Sequence, residues 1–145
     1  PPLEILEAAY PVAFTQWALR ADSGGEGQHR GGLGAVYEIE LLEESATACL
    51  FGERGKFAPP GVAGGGAGAP NRFYFDSDSA NANEGRETPP LVSKMTGISL
   101  TRGQRVRLET PGGGGYGDAA SRGEDRHKHD LAQGYVTKAG RGAGS

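Results

Sequence analysis

One cysteine, Cys49, one methionine and one tryptophan are spread among 145 residues. A single thiol rules out an internal disulfide and a cysteine-rich zinc site, and it favours an intracellular, cytoplasmic setting. No run approaches the roughly 18 apolar residues of a membrane span. The opening PPLEILEAAYP lacks the basic, apolar, small-residue order of a signal peptide, so the chain reads as soluble with no membrane partner. An excess of one charge is missing too: 15 basic and 18 acidic residues leave a net charge of -3. That balance carries no electrostatic footprint for nucleic acid. Large apolar side chains are also scarce, with Leu, Ile, Val and Phe supplying only 25 residues. Such scarcity accompanies disorder when charge is high, but here self-repulsion is weak. The expectation is a folded, thin-cored domain that leans on a neighbour for burial. The missing initiator Met suggests a fragment of a longer chain.

What the sequence has instead is glycine, 26 residues of it. Residues 3–10 carry Leu3, Leu6 and Tyr10 at helical spacing with Glu4 and Glu7 between them, and Pro11 ends the period. From Val12 to Arg20 apolar residues alternate, as in a strand. The stretch 21–34 holds too many glycines for a regular element and reads as a loop. In AVYEIELLEE the alternation predicts a strand with Tyr37, Ile39 and Leu41 on one face and Glu38 and Glu40 on a wet one. ATACLF (46–51) reads as its hairpin partner through the turn at 43–45. A second Gly/Pro loop leads to a short strand at 72–75, and polar residues 76–90 read as an exposed excursion. A turn at Arg102–Gly103 precedes a strand with Val106 and Leu108 inward. Residues 124–133 fit two helical turns with Gly134 as C-cap, followed by a frayed tail. The fold class is therefore mainly β, with long Gly-rich loops and one or two short helices.

Glycine-rich loops can cradle phosphate, but the spacing at 25–30 and at 52–57 does not fit. From Gly25 and Gly27, the third glycine of a dinucleotide fingerprint would fall at Arg30, and Phe57 stands where a P-loop needs Ser or Thr. Asp22-Ser23-Gly24-Gly25 superficially matches a serine-protease nucleophile motif. The triad's other members have no room around it, so the reading is a tight turn in which Asp22 and Ser23 cap backbone amides. His127 and His129 lie two apart on the expected helix, about 200° from each other, and read as a solvated face; no metal ligands are assigned. Cys49 reads as a small buried hydrophobe. Arg30 and Arg54 suit either a bidentate grip on a carboxylate or phosphate or a structural pair with an acid.

Three ordered blocks resemble the C-terminal part of the hydantoinase B/5-oxoprolinase family: YPVAFTQWALRADSGGEGQHRGGLGAVYEIE, ERGKFAPPGVAGGGAGAP and TRGQRVRLETPGGGGYGD. The resemblance spans roughly residues 4–136. It implies a C-terminal domain over 1–136 with a flexible tail at 137–145, belonging to a larger ATP-dependent amidohydrolase that opens a cyclic amide of the 5-oxoproline or hydantoin type. The related ketone carboxylases are the rival within the family, and a stand-alone binding or structural module is the rival outside it. Implied partners are a hydantoinase A-type ATP-handling subunit or region and the remainder of the hydantoinase B subunit, in a hetero-oligomer. ATP and a divalent metal would act in that assembly, with no cofactor bound by this fragment, which alone would be inactive. Catalytic residues are left unassigned. The family-pattern positions offered as candidate substrate or interface residues are Asp22, Ser23, Gly24, Gly25, Arg30, Arg54, Gly112, Gly113, Gly114, Gly115 and Tyr116, whose bare amides would suit close backbone packing or an oxyanion.

Overall fold

The computed structural model describes residues 2–76 and 86–137. Helix α1 (Leu3–Ala9) is followed by strands β1 (Val12–Leu19), β2 (Ala35–Leu41), β3 (Ser45–Phe51), β4 (Arg72–Phe75), β5 (Lys94–Thr101) and β6 (Arg105–Glu109). A 3-10 turn at Ala119–Ser121 and helix α2 (Glu124–Ala132) complete the order. The mainly β class expected from the sequence is what the chain adopts. Among the described residues, no helix is long and apolar enough to cross a membrane. The chain divides into two compact units, each assembled from three separated stretches.

The first unit contains the described parts of Pro1–Ala18, Val36–Glu53 and Arg72–Glu109. Its strands form a four-stranded sheet in the order β1-β2-β6-β4 and a two-stranded sheet, β3-β5. In the antiparallel β2–β6 pair Glu38 faces Arg107 and Glu40 faces Arg105, so opposite charges stand directly across the ladder. Phe73 and Phe75 of β4 face Leu108 and Val106 of β6. Leu41, Leu50, Phe73, Phe75, Ile98 and Leu100 form the core, with Val106 and Leu108 packed against it. The β3–β5 ribbon thus covers the apolar side of β2, β6 and β4. A register shift between Ala48 and Leu50 places the extra residue on β5, where Gly97 has a φ of 72°, as a glycine-type bulge requires.

Three expectations are corrected in this unit. The strand at 45–51 does not pair with β2: its partner is β5, an element the sequence reading did not anticipate, and β2 lies between β1 and β6. Pairing by sequence proximity lost to the need to cover the sheet's apolar face. Cys49 is exposed, because strict alternation turns Leu50 into the core and its neighbour outward. Glu38 is buried, so that face of β2 is not wet. Arg86 pairs closely with its carboxylate, Thr15 Oγ1 donates to it at 2.8 Å, and Arg105 lies 3.5 Å away. The Arg86 hydrogen bond, aided by Thr15 and Arg105, holds the Glu38 carboxyl below the usual range despite burial, and raises the Arg86 guanidinium in turn. Of the excursion expected at 76–90, residues 77–85 lie outside the described residues.

The second unit contains the described parts of Leu19–Ala35, Arg54–Asn71 and Thr110–Ser145. Here the three glycine-rich stretches lie against one another, joined by backbone hydrogen bonds. Gly25 N–H donates to Gly113 O at 2.8 Å, Gly113 N–H to Gly32 O at 2.9 Å, Gly66 N–H to Glu26 O at 2.7 Å and Gly115 N–H to Gly66 O at 2.9 Å. Each stretch supplies the partners that the other two lack. This satisfies backbone groups that a solvent-facing loop would leave to water.

Candidate functional site

The glycines of the second unit are required by contact. A Cβ on Gly112 would fall within 3.0 Å of the Ser23 carbonyl, one on Gly114 against Pro60, and one on Gly31 against Gly113. In each case the obstacle is backbone, which has no rotamer by which to yield. Gly32 and Gly123, by contrast, have open space at the same position. The bundle therefore distinguishes glycines fixed by packing from glycines that merely occur in it.

Polar side chains tie the bundle together. Arg20 donates from one guanidinium nitrogen to Pro70 O at 2.7 Å and Thr110 O at 3.0 Å, so a single cation spans all three stretches. Ser23 is fully buried. Its hydroxyl donates to Arg20 O at 2.5 Å and accepts from Gly34 N–H at 2.9 Å. Both roles of the oxygen serve the fold, as a turn reading of this motif anticipates. Asp22 holds a left-handed φ of 57°, and its carboxylate accepts from the N–H and the hydroxyl of Thr137, both at 2.7 Å.

Arg30 is the structural-pair alternative realised. Its Nε lies 3.1 Å from Asp130 Oδ2, another nitrogen donates to Gly31 O at 2.8 Å, and its guanidinium lies over the Tyr135 ring at 5.5 Å. Arg122 reaches the same Asp130 oxygen at 2.5 Å. Burial opposes ionisation of Asp130, but the two arginines outweigh it and hold the carboxyl below its usual range. Arg54 is exposed, with a φ of 63°, and accepts through its carbonyl from Asn71 N–H at 3.0 Å. Among the described residues no side-chain pairing gathers Arg54 to Arg30.

Gly24 and Gly25 sit in the first stretch and Gly112 to Gly115 in the third. The N–H groups of Gly25, Gly112, Gly113 and Gly115 donate to carbonyls within the bundle. These four amides are spent on the fold and are not free to meet a phosphate. Among the described residues no group of three or more His, Cys, Asp and Glu side chains is gathered for a metal. His127 and His129 lie on α2, where His129 meets the Tyr135 ring edge-on at 6.3 Å. Tyr116 is exposed and exchanges two backbone hydrogen bonds with His29.

Sequence reasoning missed Arg20, Asp130, Arg122 and Thr137. The Arg30–Asp130 and Asp22–Thr137 pairs are 100 and 115 residues apart, and no local period signals a pairing at that range.

The family model for hydantoinase B/oxoprolinase matches residues 1–119. The chain belongs to that family. It is 36% identical over 123 residues to the caprolactamase subunit beta of Pseudomonas jessenii, covering 83% of this chain and 20% of that one. It is 34% identical over 116 residues to the 5-oxoprolinase of Saccharomyces cerevisiae, covering 79% of this chain and 8% of the relative. The crystal structure of the ATP-dependent caprolactamase from Pseudomonas jessenii superposes with a TM-score of 0.79 at 29% identity, over 96% of this chain and 24% of that one. Nucleotide-free acetone carboxylase gives the same TM-score of 0.79 at 20% identity, over 96% and 22%, a likeness of fold alone. The chain thus spans between about a tenth and a quarter of the proteins it matches.

Proposed function

We propose that this chain is one structural part of an ATP-dependent enzyme that hydrolyses a cyclic amide, of the 5-oxoproline, hydantoin or caprolactam type. The support is the identity to a caprolactamase subunit and to a 5-oxoprolinase, together with the superposition on the caprolactamase. Its role in that reaction is to complete the subunit and to contact the ATP-handling partner. Engagement of Ser23 and of the Gly25, Gly112, Gly113 and Gly115 amides in the bundle supports placing the chemistry outside this chain. Asp22, Ser23, Arg30 and the Gly112–Gly115 run act as framework, leaving Arg54 and Tyr116 as the candidate interface residues.

The carboxylase branch is the second reading, favoured only by the shared fold with acetone carboxylase. An ATP-coupled assay of the full-length subunit with its partner separates the two, using 5-oxoproline, hydantoin, caprolactam and ketone substrates. The ring-opened carboxylate, an amino acid or, from hydantoin, an N-carbamoyl amino acid, formed without added bicarbonate, is the expected product. Turnover of a ketone that requires bicarbonate would overturn the amidohydrolase reading.

A further inference from the structure

Where the three glycine-rich stretches carry side chains in place of glycine, they carry them side by side. His29 and Tyr116 form an antiparallel bridge, exchanging N–H to carbonyl bonds of 3.0 and 2.9 Å. Val62 bridges Tyr116 in parallel through bonds of 2.9 Å to Gly115 O and 3.0 Å from Gly117 N–H. All three residues are exposed, Val62 and Tyr116 each by more than half. The His29 and Tyr116 rings stand 6.1 Å apart, tilted by 44°. These bonds hold the backbone beneath the rings in place.

The fourth member comes from α2. Arg126 places a guanidinium nitrogen 3.3 Å from His29 Nδ1. A guanidinium only donates, so Nδ1 must accept, and the imidazole proton then resides on Nε2. Among the described residues neither that Nε2–H nor the Tyr116 hydroxyl has a hydrogen-bond partner. Among the described residues the remaining Arg126 donors also have no partner. Three neighbouring acids have partners elsewhere, and a fourth is turned away on the helix. Asp130 is taken by Arg30 and Arg122, Glu124 pairs with Lys128 at 3.1 Å, and Asp118 caps Ala120 N–H at 2.9 Å. Asp125 is one residue from Arg126 and therefore about 100° round the helix. The cluster is rich in donors, with Arg122 beside it donating to Gln28 O at 3.2 Å.

We propose that His29, Tyr116 and Arg126 form a receptor for an oxyanion, a carboxylate or phosphate group, with Val62 as an apolar wall beside it. The guanidinium supplies the charge and a planar pair of donors, and the phenol and imidazole supply neutral donors. This site lies outside the framework contacts of Ser23, Arg30 and Asp130, and it stands independently of the amidohydrolase reading.

The test is an NMR titration of the 145-residue chain, observing the His and Tyr ring resonances at constant pH and ionic strength. Sodium acetate, sodium butyrate and inorganic phosphate are the probes. Saturable shifts of the His29 and Tyr116 rings are expected, larger than any at His127 and His129. Butyrate binding more tightly than acetate would assign the site to an alkyl carboxylate, whereas preference for phosphate would assign it to a phosphate ester. Arg126→Gln should weaken binding by about tenfold, the scale of a lost charge-assisted hydrogen bond. Lys128→Gln, on the same helix, should leave it unchanged. Unchanged dispersion of the glycine amide resonances in either variant shows the fold intact. Absence of saturation, equal shifts at all three histidines, or undiminished binding in Arg126→Gln would each overturn the proposal.

Discussion

The Asp22 carboxylate grips Thr137 through both its backbone N–H and its hydroxyl, and Tyr135 O accepts the Asp22 N–H in return at 3.0 Å. This reciprocal clasp fixes the residues after α2 to the first glycine-rich stretch. Asp22 maintains it from a left-handed backbone, which Asp and Asn tolerate and β-branched residues do not. Thr137→Val should therefore cost about 1 kcal/mol, the net worth of one hydrogen bond. Asp22→Asn should cost a similar amount, and Asp22→Val more than about 2 kcal/mol, since it adds strain to the lost bonds. Urea midpoints measure all three, and equal stability of the Asn and Val variants would refute the strain argument.

Asp130 joins Arg30 and Arg122, whose side chains are themselves 18% and 16% exposed. Asp130→Ala leaves two adjacent guanidinium groups with no shared carboxylate. Breaking a fully buried pair costs about 3–5 kcal/mol, and residual exposure of the arginines brings the expectation to about 2–4 kcal/mol. Replacement of Arg122 alone should cost less, because Arg30 still holds the carboxylate. A loss below 1 kcal/mol in Asp130→Ala would show the cluster to be a surface pair without structural weight.

Acid should weaken the fold through Asp130 and Glu38. Both carboxyls ionise below their usual range in the folded chain, so between the folded and unfolded values the unfolded chain binds more protons. Their stabilisation is complete above the ordinary carboxylate range of about 4 and disappears as pH falls through the lower folded values. Unfolding free energy followed from neutral pH down to the acid transition should decline on this limb. The Asp130→Asn variant should flatten it. A limb of unchanged slope in that variant would exclude Asp130 as a source.

Arg86 covers Glu38 in the first unit. Arg86→Ala uncovers a carboxylate that still has Arg105 at 3.5 Å and Thr15 at 2.8 Å, so the expected cost is about 1–3 kcal/mol. Glu38→Gln should rescue part of it in the double variant by removing the charge left without its main partner. Strict additivity of the two substitutions would contradict their coupling.

Much of this fold can be read along the chain. α1, β1, β2, β4, β6 and α2 follow from local period, Pro11 and Gly134, because each is specified by residues within a few positions of one another. The β3–β5 pairing does not, since it depends on which face of another sheet needs cover. Burial of Glu38 depends likewise on Arg86, 48 residues away. At the candidate site the capping role of Ser23 was legible from residue type, whereas the partner of Asp22, 115 residues away, was not. The choice of Asp130 as partner of Arg30 was not, because many acids were equally eligible in sequence. The glycines were legible as a family pattern, but the reason for them, backbone packed on backbone, exists only in three dimensions.

The central claim is that these glycines are fixed packing positions, and a matched pair of alanine substitutions tests it most directly. Gly112 has the Ser23 carbonyl where a Cβ would sit, whereas Gly32 has open space and no left-handed φ. In urea unfolding Gly112→Ala should lose more than about 3 kcal/mol or fail to fold, as forced overpacking against backbone requires. Gly32→Ala should be neutral or stabilised by about 0.5 kcal/mol through its unfolded state. Equal stability of the two variants would contradict the account.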